Sequence, residues 1–153
     1  MSRPRHQRRR SERGAAAVEF ALVMPLLFLL VFGIIDYGAV YADSISARNG
    51  VREAARQGVV SNFGGSGLDG VRAQAKSNIG ALSGPASVKV YAPNGWVKGK
   101  PLVVCAWIPN PGIIRFVPLP GELQARVELS IESASSPPVT LTSADPGTWG
   151  TWC

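Results

Sequence analysis

The chain has 153 residues, 46% of them hydrophobic and 17% charged, enough for one modest domain with appendages and too apolar for wholesale disorder. Its net charge of +6 is unevenly placed: residues 1–14 hold six arginines against Glu12, leaving ten basic and nine acidic groups beyond them. The basic character belongs to a short tail, not to a folded surface. No aromatic residues are interleaved with those arginines for base stacking, so no nucleic-acid partner is expected.

Residues 1–14 read as an unstructured basic leader. An uncharged run follows from Phe20 to Ile35, sixteen residues and roughly 24 Å of helix, short of the ~30 Å hydrocarbon core of a bilayer. Including Ala15–Val18 reaches spanning length at the cost of enclosing Glu19. With arginines before the span, the positive-inside pattern places the N-terminus in the cytoplasm and the remainder outside. The expected localisation is the cytoplasmic membrane, single-pass, with lipid bilayer as a partner.

The helical pattern continues after Asp36. Tyr37, Val40, Tyr41, Ile45, Ala47, Val51, Ala54, Ala55 and Val59 recur mostly at three- or four-residue steps, with Asp43, Arg48, Arg52, Glu53, Arg56 and Gln57 between them. One long helix over about 15–59 is expected: a transmembrane segment at 15–36 and an amphipathic continuation at 37–60. Pro25 inside it removes a backbone donor and marks a kink. Gly33 and Gly38, with Ala39 and Ala42, would permit close approach of neighbouring helices, and ordinary membrane-helix composition accounts for them equally well.

Residues 61–86 read as a glycine-rich connector followed by a short helix over Leu68–Leu82. The G-x-G-x-x-G match at Gly65, Gly67 and Gly70 lacks the preceding strand that dinucleotide binding needs. Between 87 and 132 the period changes to two. Strands are expected from Ser87 to Ala92, over Leu102–Ile108, and over Leu123–Ile131, the last with alternate polar residues. The proline-rich loop Pro109–Gly121 carries Ile113, Ile114, Phe116 and Val117, expected to pack over the sheet or to meet another subunit. Residues 133–153 form a Ser/Pro/Gly-rich tail with Trp149 and Trp152, expected to cover the sheet edge. The fold class is therefore α+β, a long N-terminal helix followed by a small antiparallel sheet domain.

Catalytic chemistry has little to work with. The single histidine, His6, lies in the arginine tail, and two cysteines cannot build a zinc site of ordinary spacing. No catalytic residue, cofactor or metal is expected, and the protein reads as a structural or interaction protein. Cys105, in an apolar strand, and Cys153, the last residue, form a candidate disulfide suited to an oxidising compartment. A buried Cys105 with a free Cys153 is the other reading.

In RGAAAVEF, Glu19 stands fifth after Gly14. This resembles the prepilin-peptidase site of type IV pilin-like proteins, where a basic leader ends in glycine and a glutamate stands fifth in the mature chain. RGAAAVEFALVMPLLFLLVFGIIDYG and then ARNGVREAARQGVV resemble the TadE-like family of tight-adherence pilus proteins. Gly14, Glu19, Pro25, Phe32-Gly33, Asp36-Tyr37 and Arg52-Glu53-Ala54-Ala55-Arg56 carry the likeness, which covers about residues 13–60. The resemblance implies a pilin-like fold and cleavage between Gly14 and Ala15 by a prepilin peptidase. It also implies a register-setting role for Glu19 in assembly, and partners among other pilin-like subunits and the pilus assembly machinery. The strand-rich remainder suits a minor subunit over the main pilin. Two other readings stay open: a secreted binding module cleaved after Val40-Tyr41-Ala42, and an uncleaved signal anchor.

Overall fold

The computed structural model describes residues 6–63, 66–109, 111–147 and 149–153; for 6–13 it describes the backbone path alone. Met1–Arg5 of the leader and Gly65 of the glycine match lie outside the described residues. The architecture is α+β: helix α1 (His6–Val60), helix α2 (Asp69–Asn78), and strands β1 (Ser87–Tyr91), β2 (Pro101–Pro109), β3 (Glu122–Ser130) and β4 (Thr142–Ala144).

Helix α1 is continuous over 55 residues, about 83 Å at 1.5 Å per residue. It extends back to His6, so the helix does not begin at Ala15, and Pro25 sits inside it without interrupting it. The sequence between Ala15 and Ala17 offers no side chain that competes with the backbone, which lets the helix propagate through the leader junction. Helix α2 stops at Asn78, short of the expected Leu82; Ile79 already has extended backbone, its N–H bonded to the Ala75 and Lys76 carbonyls.

The four strands form one antiparallel sheet in the order β3-β2-β1-β4. β2 is buried on both faces, and each face has its own cover. Leu102, Val104, Ala106 and Ile108 meet the helical layer through Val51, Ala54, Ala55 and Val59 of α1 and Val71, Ala75 and Ile79 of α2. Small residues bring the two helices close: a Cβ on Gly50 would lie 3.3 Å from the Ile79 amide nitrogen.

The opposite face carries Val103 and Cys105, covered by Tyr91, Trp149, Trp152 and Cys153. The register sets Lys89 and Arg126 on either side of Cys105. Cys105 is bonded to Cys153, Lys89 Nζ donates to the Cys153 carbonyl at 3.0 Å, and Arg126 Nη1 donates to the Trp152 carbonyl at 3.0 Å. The tail is thus fastened across three strands, and its tryptophans cover a sheet face, not the sheet edge. A cross-link closing 48 residues is worth about 4 kcal/mol in chain entropy by the loop-closure estimate.

β4 arises inside the tail, where composition suggests no strand. Asp145 explains its placement. Arg72 Nη1 and Lys76 Nζ of α2 each approach its carboxylate at 3.0 Å, and the Val88 N–H of β1 donates to it at 3.1 Å. Burial pushes this carboxyl up, but the Lys76 hydrogen bond, the Val88 N–H and the charges of Lys76 and Arg72 outweigh it and hold it below its usual 3.8. A depressed folded value contributes stability that is complete above the unfolded value and is lost as pH falls through the folded one. Asp145→Asn is expected to cost about 1–3 kcal/mol near pH ~7 and to flatten the acid-side loss of stability below pH ~4, measured by thermal unfolding across pH. An unchanged acid limb would contradict this account.

Candidate membrane and assembly segment

The first half of α1 is bare. Phe20, Leu22, Val23, Leu26, Leu30 and Ile34 are all more than half exposed, and none of the most apolar 18-residue window is covered by the rest of the protein. Gly14–Val60 contains a stretch long and apolar enough to cross a membrane. A helix apolar all round that finds no protein cover is suited to lipid or to other helices.

Gly14 and Ala15 lie within this helix, both exposed, and a side chain at Gly14 would meet nothing within 4 Å. Glu19 projects from the same exposed stretch, one turn beyond Ala15. The structure therefore brings Gly14, Ala15 and Glu19 onto neighbouring turns and leaves them facing outward. Pro25 lies two turns further on, among exposed apolar residues.

The second half of α1 becomes the spine of the domain. Its buried positions are Asp36, Ala39, Val40, Asp43, Ala47, Gly50, Val51, Ala54, Ala55, Gly58 and Val59, a stripe of three- and four-residue steps. This stripe differs from the expected one. Tyr37, Tyr41 and Ile45 are 55%, 71% and 45% exposed, whereas Asp36 and Asp43 are fully buried.

Unmet backbone donors explain why acids replace apolar residues there. Asp36 Oδ1 accepts the N–H groups of Ile113 at 3.1 Å and Ile114 at 2.7 Å, and Oδ2 accepts that of Phe116 at 3.1 Å. Arg115 takes positive φ (58°) within the loop, which turns these successive N–H groups toward one anion, as in a backbone nest. Seven residues on, Asp43 accepts from the Leu82 and Ser83 amides at 2.6 and 3.0 Å. Ser83 Oγ in turn accepts the Gly112 N–H at 2.8 Å, tying the two connectors together.

The proline-rich loop consequently lies against α1 and not over the sheet. Phe116 meets Phe32 edge-on at 6.2 Å between ring centres, Val117 approaches Gly33, and Tyr37 donates its hydroxyl to the Pro118 carbonyl at 3.1 Å. Gly33 is thus used within the chain, whereas Gly38 faces open space. Asp36 stands out in the sequence only as part of the TadE-like resemblance and Asp43 only as a polar position, although their spacing of seven places them on one helix face with Val40, Ala47 and Val51.

A recess of about 630 Å³ lies between the last turns of α1 and β3, floored by Val59, Val127 and Leu129 and rimmed by Arg52 and Arg56. Arg56 is paired to Glu53 at 2.9 Å. Among the described residues no group of three or more His, Cys, Asp or Glu side chains is placed to hold a metal ion.

Residues 14–56 match the family described as TadE-like protein. The chain carries a TadE-like segment. The match begins at Gly14, takes in Glu19, Pro25, Asp36 and Asp43, and ends within α1, leaving the sheet outside it. Comparisons with curated proteins and with solved structures give no match.

The TadE-like segment therefore supplies the helix half of both carboxylate clasps, and the less regular remainder supplies their donors. Charge-assisted bonds of this kind are worth about 1.5–3 kcal/mol each. Asp36→Ala is expected to raise amide exchange at Ile113, Ile114 and Phe116 by about 10–100-fold, read by hydrogen-exchange mass spectrometry or NMR on the detergent-solubilised protein. Exchange equal to the parent protein's would show that the carboxylate does not hold the loop.

Proposed function

We propose that this chain is a minor pilin-like, TadE-like membrane subunit that serves assembly of a tight-adherence, type IV-like pilus and is processed after Gly14 by a prepilin peptidase. The observation that carries this reading is the bare apolar half of α1 beginning one turn after Gly14, with Glu19 at its head. The TadE-like match over residues 14–56 supports the pilus context. The role is structural and not enzymatic, and the partners are the peptidase, other pilin-like subunits, the assembly machinery and the bilayer.

Cleavage would change the chemistry around Glu19. In the uncut helix it stands among apolar neighbours, where an ionised carboxylate in hydrocarbon costs several kcal/mol. Removal of residues 1–14 leaves an ammonium on Ala15, roughly 6 Å of helix rise from Glu19, and frees the N–H groups of the new first turn. Both favour an anion at that end. In a bundle of subunits the amine of one chain can compensate the glutamate of its neighbour and so fix their axial register. Gly14 also weakens the helix by about 1 kcal/mol relative to alanine, easing the local unwinding that a peptidase needs at a helical bond.

The packing of α1 weighs against a secreted module. A cut after Ala42 would sever α1 between buried Val40 and buried Asp43 and detach the Asp36 clasp from the domain. An uncleaved anchor leaves the glycine–glutamate spacing unexplained.

Gly14→Leu is expected to leave the full-length chain unprocessed, seen as retention of the larger band on immunoblots. Glu19→Ala is expected to be processed normally but to assemble poorly, scored by pilus yield in cells. Normal piliation of the Glu19→Ala strain would remove the register-setting role.

A further inference from the structure

The loop Pro111–Pro120 carries an apolar surface that neither the sheet nor the helix covers. Ile113 and Phe116 are 56% and 61% exposed and Ile114 is 42% exposed, although Asp36 holds the backbone of all three. Ordinary loop tips are polar, and three outward-facing large apolar residues within four positions form an uncommon patch.

Position along α1 says what covers it. Ala15–Ile35, twenty-one residues, gives about 31 Å of helix, matching the ~30 Å hydrocarbon thickness. Asp36 then marks the end of the span, and Phe32 lies about 6 Å inside it. Phe116 stacks edge-on against Phe32, so the loop's apolar surface is continuous with that of the span and sits at the depth where interfacial segments bury their apolar faces, about 5–10 Å. Exposed Tyr37 and Tyr41 stand just beyond, where aromatic side chains gather at membrane–water boundaries. Arg115, the loop's one charged residue, is exposed among the apolar three and long enough to reach a lipid phosphate while they point inward.

We infer that this loop is a second membrane contact: a lipid-facing anchor that inserts Ile113, Ile114 and Phe116 into the near leaflet and seats the sheet domain on the bilayer surface. The inference rests on the reading of Ala15–Ile35 as a membrane span. With two contacts the domain cannot rotate freely about the helix, and the Asp36 charge lies inside its nest of N–H donors instead of against lipid.

The test uses the full chain, with the Cys105–Cys153 bond left oxidised, reconstituted in phosphatidylcholine–phosphatidylglycerol vesicles. Nitroxide labels are attached in separate variants I113C, F116C, L29C and V139C. Val139 is an exposed residue paired through its N–H to the Ser66 carbonyl, beyond the far end of α1. Labels at 113 and 116 are expected to collide with oxygen over a water-soluble nickel complex by a ratio several-fold above that at 139, at a depth between those of 29 and 139. A ratio at 113 and 116 equal to that at 139, with 29 lipid-like, would overturn the anchor and leave the span standing. A water-like label at 29 would overturn the span and the anchor with it. Protection of 116 from both oxygen and the nickel complex would mean that protein, not lipid, covers the loop, and would also overturn it.

Discussion

Everything in this molecule hangs on one helix that has two different environments along a single unbroken axis. From Ala15 to Ile35, α1 is apolar apart from Glu19 and has almost no protein cover, Phe116 and Val117 touching it only at Phe32 and Gly33; from Asp36 to Val59 one stripe of it is the spine of a packed domain. Because the helix continues through the boundary, whatever fixes its first half fixes the orientation of the domain. The glycine-rich break after Val60 lies at the far end, where it cannot uncouple the two.

The boundary itself is built from carboxylates. Asp36 and Asp43 sit on the buried stripe two turns apart and collect backbone N–H groups from two connectors that have no ladder of their own. A buried backbone donor left unpaired costs about as much as a lost hydrogen bond, so the acids are what allow irregular chain to lie against α1. At the other side of the domain Asp145 does the same for the tail, joining α2, β1 and β4. Three acids therefore fasten the segments that hydrophobic burial alone would not place.

This explains what could be read from the sequence. The order of helix then sheet, and the strands at 87–91, 101–109 and 122–130, follow from periodicity, because burial against α1 enforces it. The face of α1 was harder. Tyr37, Tyr41 and Ile45 have core-like spacing, yet the buried face went to Asp36 and Asp43, whose value depends on donors contributed about forty and eighty residues away. β4 was illegible for a similar reason: three residues, Thr142–Ala144, are held by Asp145 and by the fastened tail, not by their own pattern. Gly14 and Glu19 are the reverse case. Their spacing is plain in the sequence, while in the fold both are exposed, and the proposed role of each lies outside the chain, with a peptidase and with neighbouring subunits.

The central claim is that the bare half of α1 is a pilin-like span released from its leader. The most direct measurement is the N-terminal residue of the protein extracted from membranes. The account predicts Ala15. A chain still carrying the arginine leader, or one beginning at Asp43, would contradict it.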